Sequence, residues 1–346
     1  MSCLNPYICR KEPFDFLTAH NCRIGTDGHI EFYSYKNKNS VGIDINEDVE
    51  KSSKRGYSKI RFRQLSLMYD NKTVQKILNH PNIVLIPCGT CEACVASKKR
   101  DWTLRNNLEY NDVGVGYFIT LTCEECYLLK NKLGLYSIPK ELANYFIKEL
   151  RKELKKDGQK LRYFYCGEYG DITFRPHFHF IIYNEIKDLK QKVLLKNRWH
   201  YESEMIKWCW TYGIYDIEDL NEYAISYTSG YVQKKLSDNR LYDELQIQKP
   251  YISMSRKPGI GYNYFVKNFD KIYKYDGVYQ KDFVDGRAKK FPVPKFFDRK
   301  LRELDENKYN EVKKGRVFTF QIPNTDKKII KFYDNKKIIN RRTDSL

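Results

Sequence analysis

Residues 161–183 constrain the fold of this chain most strongly, because their pattern predicts two β-strands joined by a short turn. Aromatic and β-branched residues, which favour strands, are frequent in residues 161–168 and 176–183. Gly170 and Asp171 lie between the two segments and are typical turn residues. The sequence therefore predicts an antiparallel hairpin, in which residues of one strand lie opposite residues of the other.

The second predicted strand carries two histidines, His177 and His179, on either side of Phe178. Alternate residues of a strand share a face, so both imidazoles point to one side while Phe178 points into the core. Two imidazoles that converge from one strand can hold a divalent cation. The pair alone is only suggestive, because a chain with 6 histidines can contain such a pair by chance.

Glu168, on the first predicted strand, is the candidate third ligand. Pairing of the hairpin would bring its carboxylate close to His177 or His179. One carboxylate and two imidazoles leave coordination positions for a phosphate oxygen and water, which suits Mg²⁺ or Mn²⁺ acting as a Lewis acid on a phosphodiester. The alternative is a buried glutamate paired with a basic residue such as Arg175. The neighbouring motifs favour the metal ligand.

A predicted helix over residues 220–236 carries Tyr227 and Tyr231. Residues four apart in a helix lie on one face, one turn above each other, so the two phenols would stand side by side. A phenol has an ordinary pKa of about 10 and needs help to attack phosphorus. Lys234 and Lys235 follow within about a turn and can favour the phenolate or stabilise the phosphate charge.

The alternative for this helix is an aromatic stripe that packs on the sheet, with Tyr223 as a third member of the row. A chain with 29 tyrosines makes that arrangement common. Gly230 and the paired lysines weaken it, since a helix that faces the core seldom carries this polarity.

The remaining pattern divides the chain into three regions. Residues 1–85 predict a β-rich or irregular N-terminal extension. Residues 86–245 hold the motifs, and they also predict a helix over 91–110, a strand over 117–123 and a helix that begins at Pro139. Residues 246–346 form a basic, aromatic-rich C-terminal region.

The charge of the chain indicates a polyanionic partner. Lys and Arg number 62 against 44 Asp and Glu, which leaves a formal net charge of +18. Nucleic acid and a membrane surface are both polyanionic. The 29 tyrosines and 19 phenylalanines favour nucleic acid, since rings beside basic residues can stack on unpaired bases. Without an apolar run long enough to span a membrane or a secretory signal at Met1, the sequence predicts a cytosolic protein with no membrane partner.

Three of the 10 cysteines are clustered with two residues between neighbours: Cys88, Cys91 and Cys94. This spacing is a frequent half-site for zinc, and Cys3 or Cys9 would be the fourth ligand of a structural Zn²⁺ knuckle. The alternative is three reduced thiols at the start of a helix. In either case the cluster is architectural, because thiolates suit zinc better than Mg²⁺ or Mn²⁺.

Taken together and in this order, the motifs resemble those of the replication initiators of microviruses, the small icosahedral phages with single-stranded DNA, and especially those of the gokushovirus branch. The likeness covers residues 85–265. It is carried by residues 87–94 (PCGTCEAC) with Trp102, Arg105 and Glu109, by 118–122 (FITLT), 166–170 (CGEYG), 175–179 (RPHFH) and 227–235 (YTSGYVQKK), and by 254–261 (MSRKPGIG).

The resemblance implies the α+β fold of HUH endonucleases, a central antiparallel sheet with flanking helices, here with extra N- and C-terminal elements. It also implies a rolling-circle replication initiator that acts in the host bacterial cytoplasm. One tyrosine attacks the origin phosphodiester and keeps a 5′-phosphotyrosyl link, while the freed 3′-hydroxyl primes a host polymerase beside a host helicase. The second tyrosine cuts the regenerated origin, and strand transfer closes the displaced circle.

The resemblance also assigns roles to residues. The catalytic group is Tyr227, Tyr231, Lys234 and Lys235, and the metal group is His177, His179 and Glu168. The chain departs from the family between the tyrosines, where residues 228–230 (TSG) replace a bulkier, often basic stretch. That departure concerns the geometry of the helix.

Two other functions compete with this one. Another HUH nuclease, such as a relaxase or a transposase, would share the chemistry, but relaxases commonly use three histidines and small transposases are much shorter. A non-catalytic DNA-binding protein with a zinc knuckle would need the charge and the cysteines. It would have no use for His177, His179 and two phenols one turn apart.

Overall fold

The computed structural model describes residues 91–316, apart from 171–172, 196–197, 235–239 and 282–285, together with the backbone of short strands nearer the N-terminus. The chain forms two compact units, residues 1–94 with 317–346 and residues 95–316. In the first unit β1 pairs antiparallel with β4 and β5, and β2 pairs with β3. These strands are β1 (Tyr7–Arg10), β2 (His20–Ile24), β3 (Ile30–Ser34), β4 (Lys59–Arg61) and β5 (Ile83–Ile86).

The second unit is built on a sheet of seven described strands in the order β12-β7-β8-β6-β11-β10-β9. Every neighbouring pair is antiparallel. The strands are β6 (Tyr117–Cys123), β7 (Tyr163–Tyr169), β8 (Pro176–Ile182), β9 (Lys190–Leu195), β10 (Arg198–Glu202), β11 (Gly213–Asp219) and β12 (Tyr251–Met254). The predicted hairpin is therefore confirmed as β7 and β8, and both of its strands are interior strands of the sheet.

Helices flank this sheet, so the α+β fold of a central antiparallel sheet with flanking helices is confirmed. A separate two-stranded ribbon pairs β13 (Val278–Lys281) with β14 (Ala288–Phe291). The described helices are α1 (Glu92–Val113), α2 (Lys140–Lys156), α3 (Glu204–Cys209), α4 (Glu222–Lys234), α5 (Arg240–Glu244), α6 (Tyr262–Lys274), α7 (Lys295–Leu304) and α8 (Glu306–Gly315). Among the described residues no helix is long and apolar enough to cross a membrane.

The two faces of the sheet bury different helices. On one face Phe146, Ile147 and Leu150 of α2 pack in one apolar cluster with Phe178 and Phe180 of β8. The next cluster, on the other face, is formed by strand residues such as Phe164 and Ile181 with α4, and Trp102 and Tyr110 of α1 pack against it. Because His177 and His179 alternate with Phe178 along β8, they lie on the face that carries α4.

A buried ionic network fastens the loop between β12 and α6 to the sheet. The Arg162 guanidinium contacts the Glu109 carboxylate of α1 at 2.6 Å, and the two side chains are almost fully buried. Glu109 accepts the Gly261 N–H at 2.6 Å, while Arg162 donates to the carbonyls of Pro258 and Gly259. The glycine-rich segment 254–261 is thus held through its own backbone, and a Cβ at Gly259 would lie 2.7 Å from the Phe296 ring.

We expect Glu109→Gln to lower the free energy of unfolding by about 3–5 kcal/mol, because it leaves the Arg162 charge buried without its partner. Urea denaturation measures this loss. Glu149→Gln is the control, since Glu149 pairs with the exposed Lys152 on the surface of α2 and its loss should cost much less. Equal losses for the two variants would show that the buried pair does not hold the loop.

Candidate metal and nucleophile site

The pairing of β7 with β8 brings the three predicted ligands together. Glu168 lies opposite His177 in the register, and Cys166 lies opposite His179. The Glu168 Oε1 atom is 3.0 Å from His177 Nε2 and 3.2 Å from His179 Nε2. Glu168 therefore contacts both histidines, rather than one of them as the hairpin alone required.

The far nitrogen of each imidazole is also held. His177 Nδ1 lies 3.2 Å from the carbonyl oxygen of Arg175, and His179 Nδ1 lies 3.1 Å from the Thr120 hydroxyl of β6. Partners of this kind fix the orientation of metal-binding histidines and leave Nε2 directed at the ion. The Thr120 contact follows from the sheet, since Thr120 pairs directly with His179.

The donor set fits a divalent cation. Glu168, His177 and His179 each offer one ligand atom, and these atoms lie within 4.8 Å of one another. Two ligand atoms that each lie about 2.1 Å from an ion at a right angle are about 3 Å apart, close to the separations seen here. A mixed nitrogen and oxygen set with only three protein ligands leaves positions for phosphate oxygen and water, as Mg²⁺ or Mn²⁺ would need.

The electrostatics of Glu168 agree with this role. Burial opposes its ionisation, but hydrogen bonds from His177, His179 and Tyr231 outweigh burial, so the pKa of this carboxyl lies well below its usual range. The alternative partner, Arg175, is engaged elsewhere, because its guanidinium donates to the Cys123 carbonyl at 2.6 Å. A carboxylate that stays charged in a buried position is suited to bind a cation.

Helix α4 places both predicted nucleophiles over the histidines. The Tyr231 ring stacks on the His179 ring at 6.0 Å between centroids, and the Tyr227 ring meets His179 edge-on at 5.4 Å. The Tyr231 hydroxyl donates a hydrogen bond to the Tyr227 hydroxyl. Tyr223 extends the row, with its ring stacked at 6.4 Å from that of Tyr227.

The two tyrosines differ in their surroundings. Tyr231 is 6% exposed, whereas Tyr227 is 40% exposed. Burial, the Glu168 charge and hydrogen bonds to Glu168 and Tyr227 raise the pKa of Tyr231 well above its usual value. Tyr231 is thus the phenol closest to the candidate ligand set, and Tyr227 is the phenol that faces solvent.

The unusual residues 228–230 explain how α4 is held, and the helix runs through them without a break. Thr228 and Ser229 are fully buried. Ser229 Oγ lies 3.1 Å from Asn106 Nδ2 of α1, which in turn accepts the Tyr183 hydroxyl. The Lys99 side chain of α1 covers Gly230, where an added Cβ would lie 3.4 Å from Lys99 Nζ. Small residues at these positions let α1 approach the tyrosine helix closely.

Other predicted site residues fall partly outside the described residues. Lys234 is the last residue of α4, but its side chain and the whole of Lys235 lie outside them. Cys91 is half-buried and Cys94 is buried at the start of α1, and Cys88 lies outside the described residues. The roles of the lysines and the zinc knuckle therefore stay predictions.

Sequence reasoning missed two features of this face. One is the pair of supporting contacts from Thr120 and Lys99, of which only Thr120 had a signal, as one of two polar residues in an otherwise apolar, alternating strand. The other is a second group of possible ligands on the neighbouring strands, formed by His200, Asp216 and Glu218. There His200 Nδ1 lies 2.7 Å from Asp216, and Glu218 pairs with Arg198.

Comparison with known proteins identifies relatives of the chain. A family model described as replication-associated protein ORF2 matches residues 116–236, which hold all the proposed metal ligands and both tyrosines. The replication-associated protein ORF2 of Spiroplasma virus 4 is 32% identical over 249 residues, which cover 70% of this chain and 76% of the relative. The replication-associated protein VP4 of Bdellovibrio phage phiMH2K is 26% identical over 252 residues, covering 71% and 75%.

A third relative, the replication-associated protein ORF4 of Chlamydia phage 1, is 23% identical over 243 residues, which cover 66% of this chain and 58% of the relative. No solved structure matches the chain. These relatives confirm the resemblance to the replication proteins of microviruses. With a relative that is 32% identical over 70% of its length, the chain belongs to the family of phage replication-associated proteins.

Proposed function

We propose that the chain is a rolling-circle replication initiator that nicks and rejoins single-stranded DNA through Tyr227 and Tyr231. One observation supports this above all. Two phenols one helical turn apart stand over a glutamate and two histidines whose ligand atoms converge. A protein that only binds DNA has no need of this combination.

The tyrosines would carry the covalent chemistry. A tyrosine Oη attacks phosphorus, the bond from phosphorus to the 3′ oxygen breaks, and that oxygen leaves as a hydroxyl after it takes a proton. The phosphate stays on the tyrosine as a 5′-phosphotyrosine, so its bond energy is kept for rejoining. Attack of a free 3′-hydroxyl on this ester reverses the step and closes the strand.

Glu168, His177 and His179 would hold Mg²⁺ or Mn²⁺, which when bound supplies Lewis-acid polarisation of the scissile phosphodiester. Thr120 and the Arg175 carbonyl keep the two imidazoles in the orientation that this binding needs. Lys234 and Lys235 would add positive charge just after the second tyrosine. DNA is the partner in this proposal, and a host helicase and polymerase are partners by resemblance.

The test is to incubate the protein with single-stranded or supercoiled DNA that carries its own origin, with Mn²⁺ or Mg²⁺ or with a chelator. We expect a nick and a protein joined to the 5′ end on a denaturing gel, both of which disappear with the chelator. Tight binding of origin DNA without a nick or a link under all metal conditions would favour the non-catalytic DNA-binding protein instead.

A further inference from the structure

An open groove of about 620 Å³ lies where the end of α2 meets β12, the edge strand of the sheet. Strand β12 is paired only with β7 among the described strands. The basic residues of the groove lining come from α2, from the start of β7 and from the loop after β12. They are Arg151, Lys155, Lys160, Arg162, Arg256 and Lys257.

No carboxylate is among the residues that line this groove. Arg162 is neutralised by Glu109 in the buried network. The other five basic side chains make no ion pair with a carboxylate of the described residues. Five positive charges that surround one concave surface repel each other, and a polyanion placed between them would relieve that repulsion. The backbone phosphates of a nucleic acid are spaced along a chain, as the basic residues are spaced along the groove.

The groove also offers an aromatic surface. Tyr163 lines it and is half-buried, so part of its ring remains accessible beside the basic residues. A ring next to positive charges is the arrangement that binds unpaired bases by stacking while the charges hold the backbone. Paired bases in a duplex present no free face to such a ring, so the groove favours a single strand.

The groove lies on the opposite face of the sheet from the nucleophiles. Tyr163 shares a face of β7 with Tyr165, which packs in the apolar cluster of α2. Glu168 lies on the other face of β7, with the histidines and α4. We propose that this groove, defined by the six basic residues and Tyr163, binds the backbone of single-stranded DNA away from the cleavage site. The inference goes beyond the nicking proposal, because it needs neither the metal nor the tyrosines.

The test measures equilibrium binding of a labelled oligothymidylate to the full chain in the presence of a chelator, across a range of salt concentrations. The variant Lys155→Gln with Arg256→Gln removes two groove charges. We expect the slope of log affinity against log salt to become shallower by about 1.4, which corresponds to a loss of about 25-fold at 0.1 M salt. Because no cleavage is involved, the result is independent of whether the chain nicks DNA.

The control variant, Lys271→Gln with Lys274→Gln, changes the net charge equally on the exposed surface of α6, outside the groove. It should change affinity and slope much less. Equal losses for the two variants would overturn the proposal, because they would show binding by net charge alone. A larger loss for duplex DNA than for the single strand would overturn the assignment to a single strand. Tyr163→Leu should weaken oligothymidylate binding without changing the salt slope.

Discussion

Replacing both Tyr227 and Tyr231 with phenylalanine is expected to abolish the covalent protein–DNA link and to lower nicking by roughly 10⁴-fold or more. The substitution removes only the two hydroxyls, so the rings that pack on His179 remain and the fold should be retained. Transfer of a 5′ label from origin DNA to protein on a denaturing gel measures the link. A link that survives in the double variant would place the nucleophile elsewhere.

The single variants should separate two roles. Tyr231 hydrogen bonds to Glu168, so its oxygen is next to the candidate ligands, and we expect Tyr231→Phe to remove most of the first cleavage. Tyr227→Phe should leave first cleavage largely intact and block closure of the circle, which needs the second nucleophile. Tyr223→Phe is the matched control, since Tyr223 is in the same row one turn earlier and should leave both steps unchanged. The reverse pattern would exchange the roles of Tyr227 and Tyr231.

His177→Ala and His179→Ala are each expected to lower nicking by on the order of 10³-fold, because loss of a metal ligand removes several kcal/mol of transition-state stabilisation. The same variants should weaken Mn²⁺ binding, measured directly by titration calorimetry without DNA. Glu168→Gln keeps the shape of the side chain but removes its charge, and we expect it to weaken Mn²⁺ binding as well.

The control for the metal site is His200→Ala, which alters the second group of possible ligands on the same face of the sheet. It should leave Mn²⁺ affinity and nicking close to those of the unmodified protein. If His200→Ala weakens Mn²⁺ binding while His177→Ala does not, the ion binds between β10 and β11, and the assignment to Glu168, His177 and His179 is wrong.

Local patterns predicted the elements that form the centre of the fold. Strand β6 covers the predicted residues, and α2 begins directly after Pro139 and ends where Gly158 adopts a positive φ of 71°. These elements are readable because alternation, helical spacing and capping residues act over a few neighbours. The resemblance supplied the architecture, and the division of the chain at residues 85 and 245 stays a prediction.

The candidate site was predictable to the extent that it follows from one hairpin and one helix. The pairing of β7 with β8 already placed Glu168 near the histidines, and helical spacing already aligned the tyrosines. The contacts of Thr120 and Lys99 depend on how distant elements pack, as does the groove at the edge of the sheet. No periodicity in the sequence records such contacts between residues far apart in the chain.

The fastening of α4 to α1 has a consequence for the order of events in a replication cycle. A helix whose middle is buried through Thr228 and Ser229, and covered by Lys99 at Gly230, has little freedom to slide or roll by a turn. If the two tyrosines act in turn, the exchange between them cannot come from travel of the helix. The component that changes place is then the nucleic acid, whose strand would move from one fixed phenol to the next.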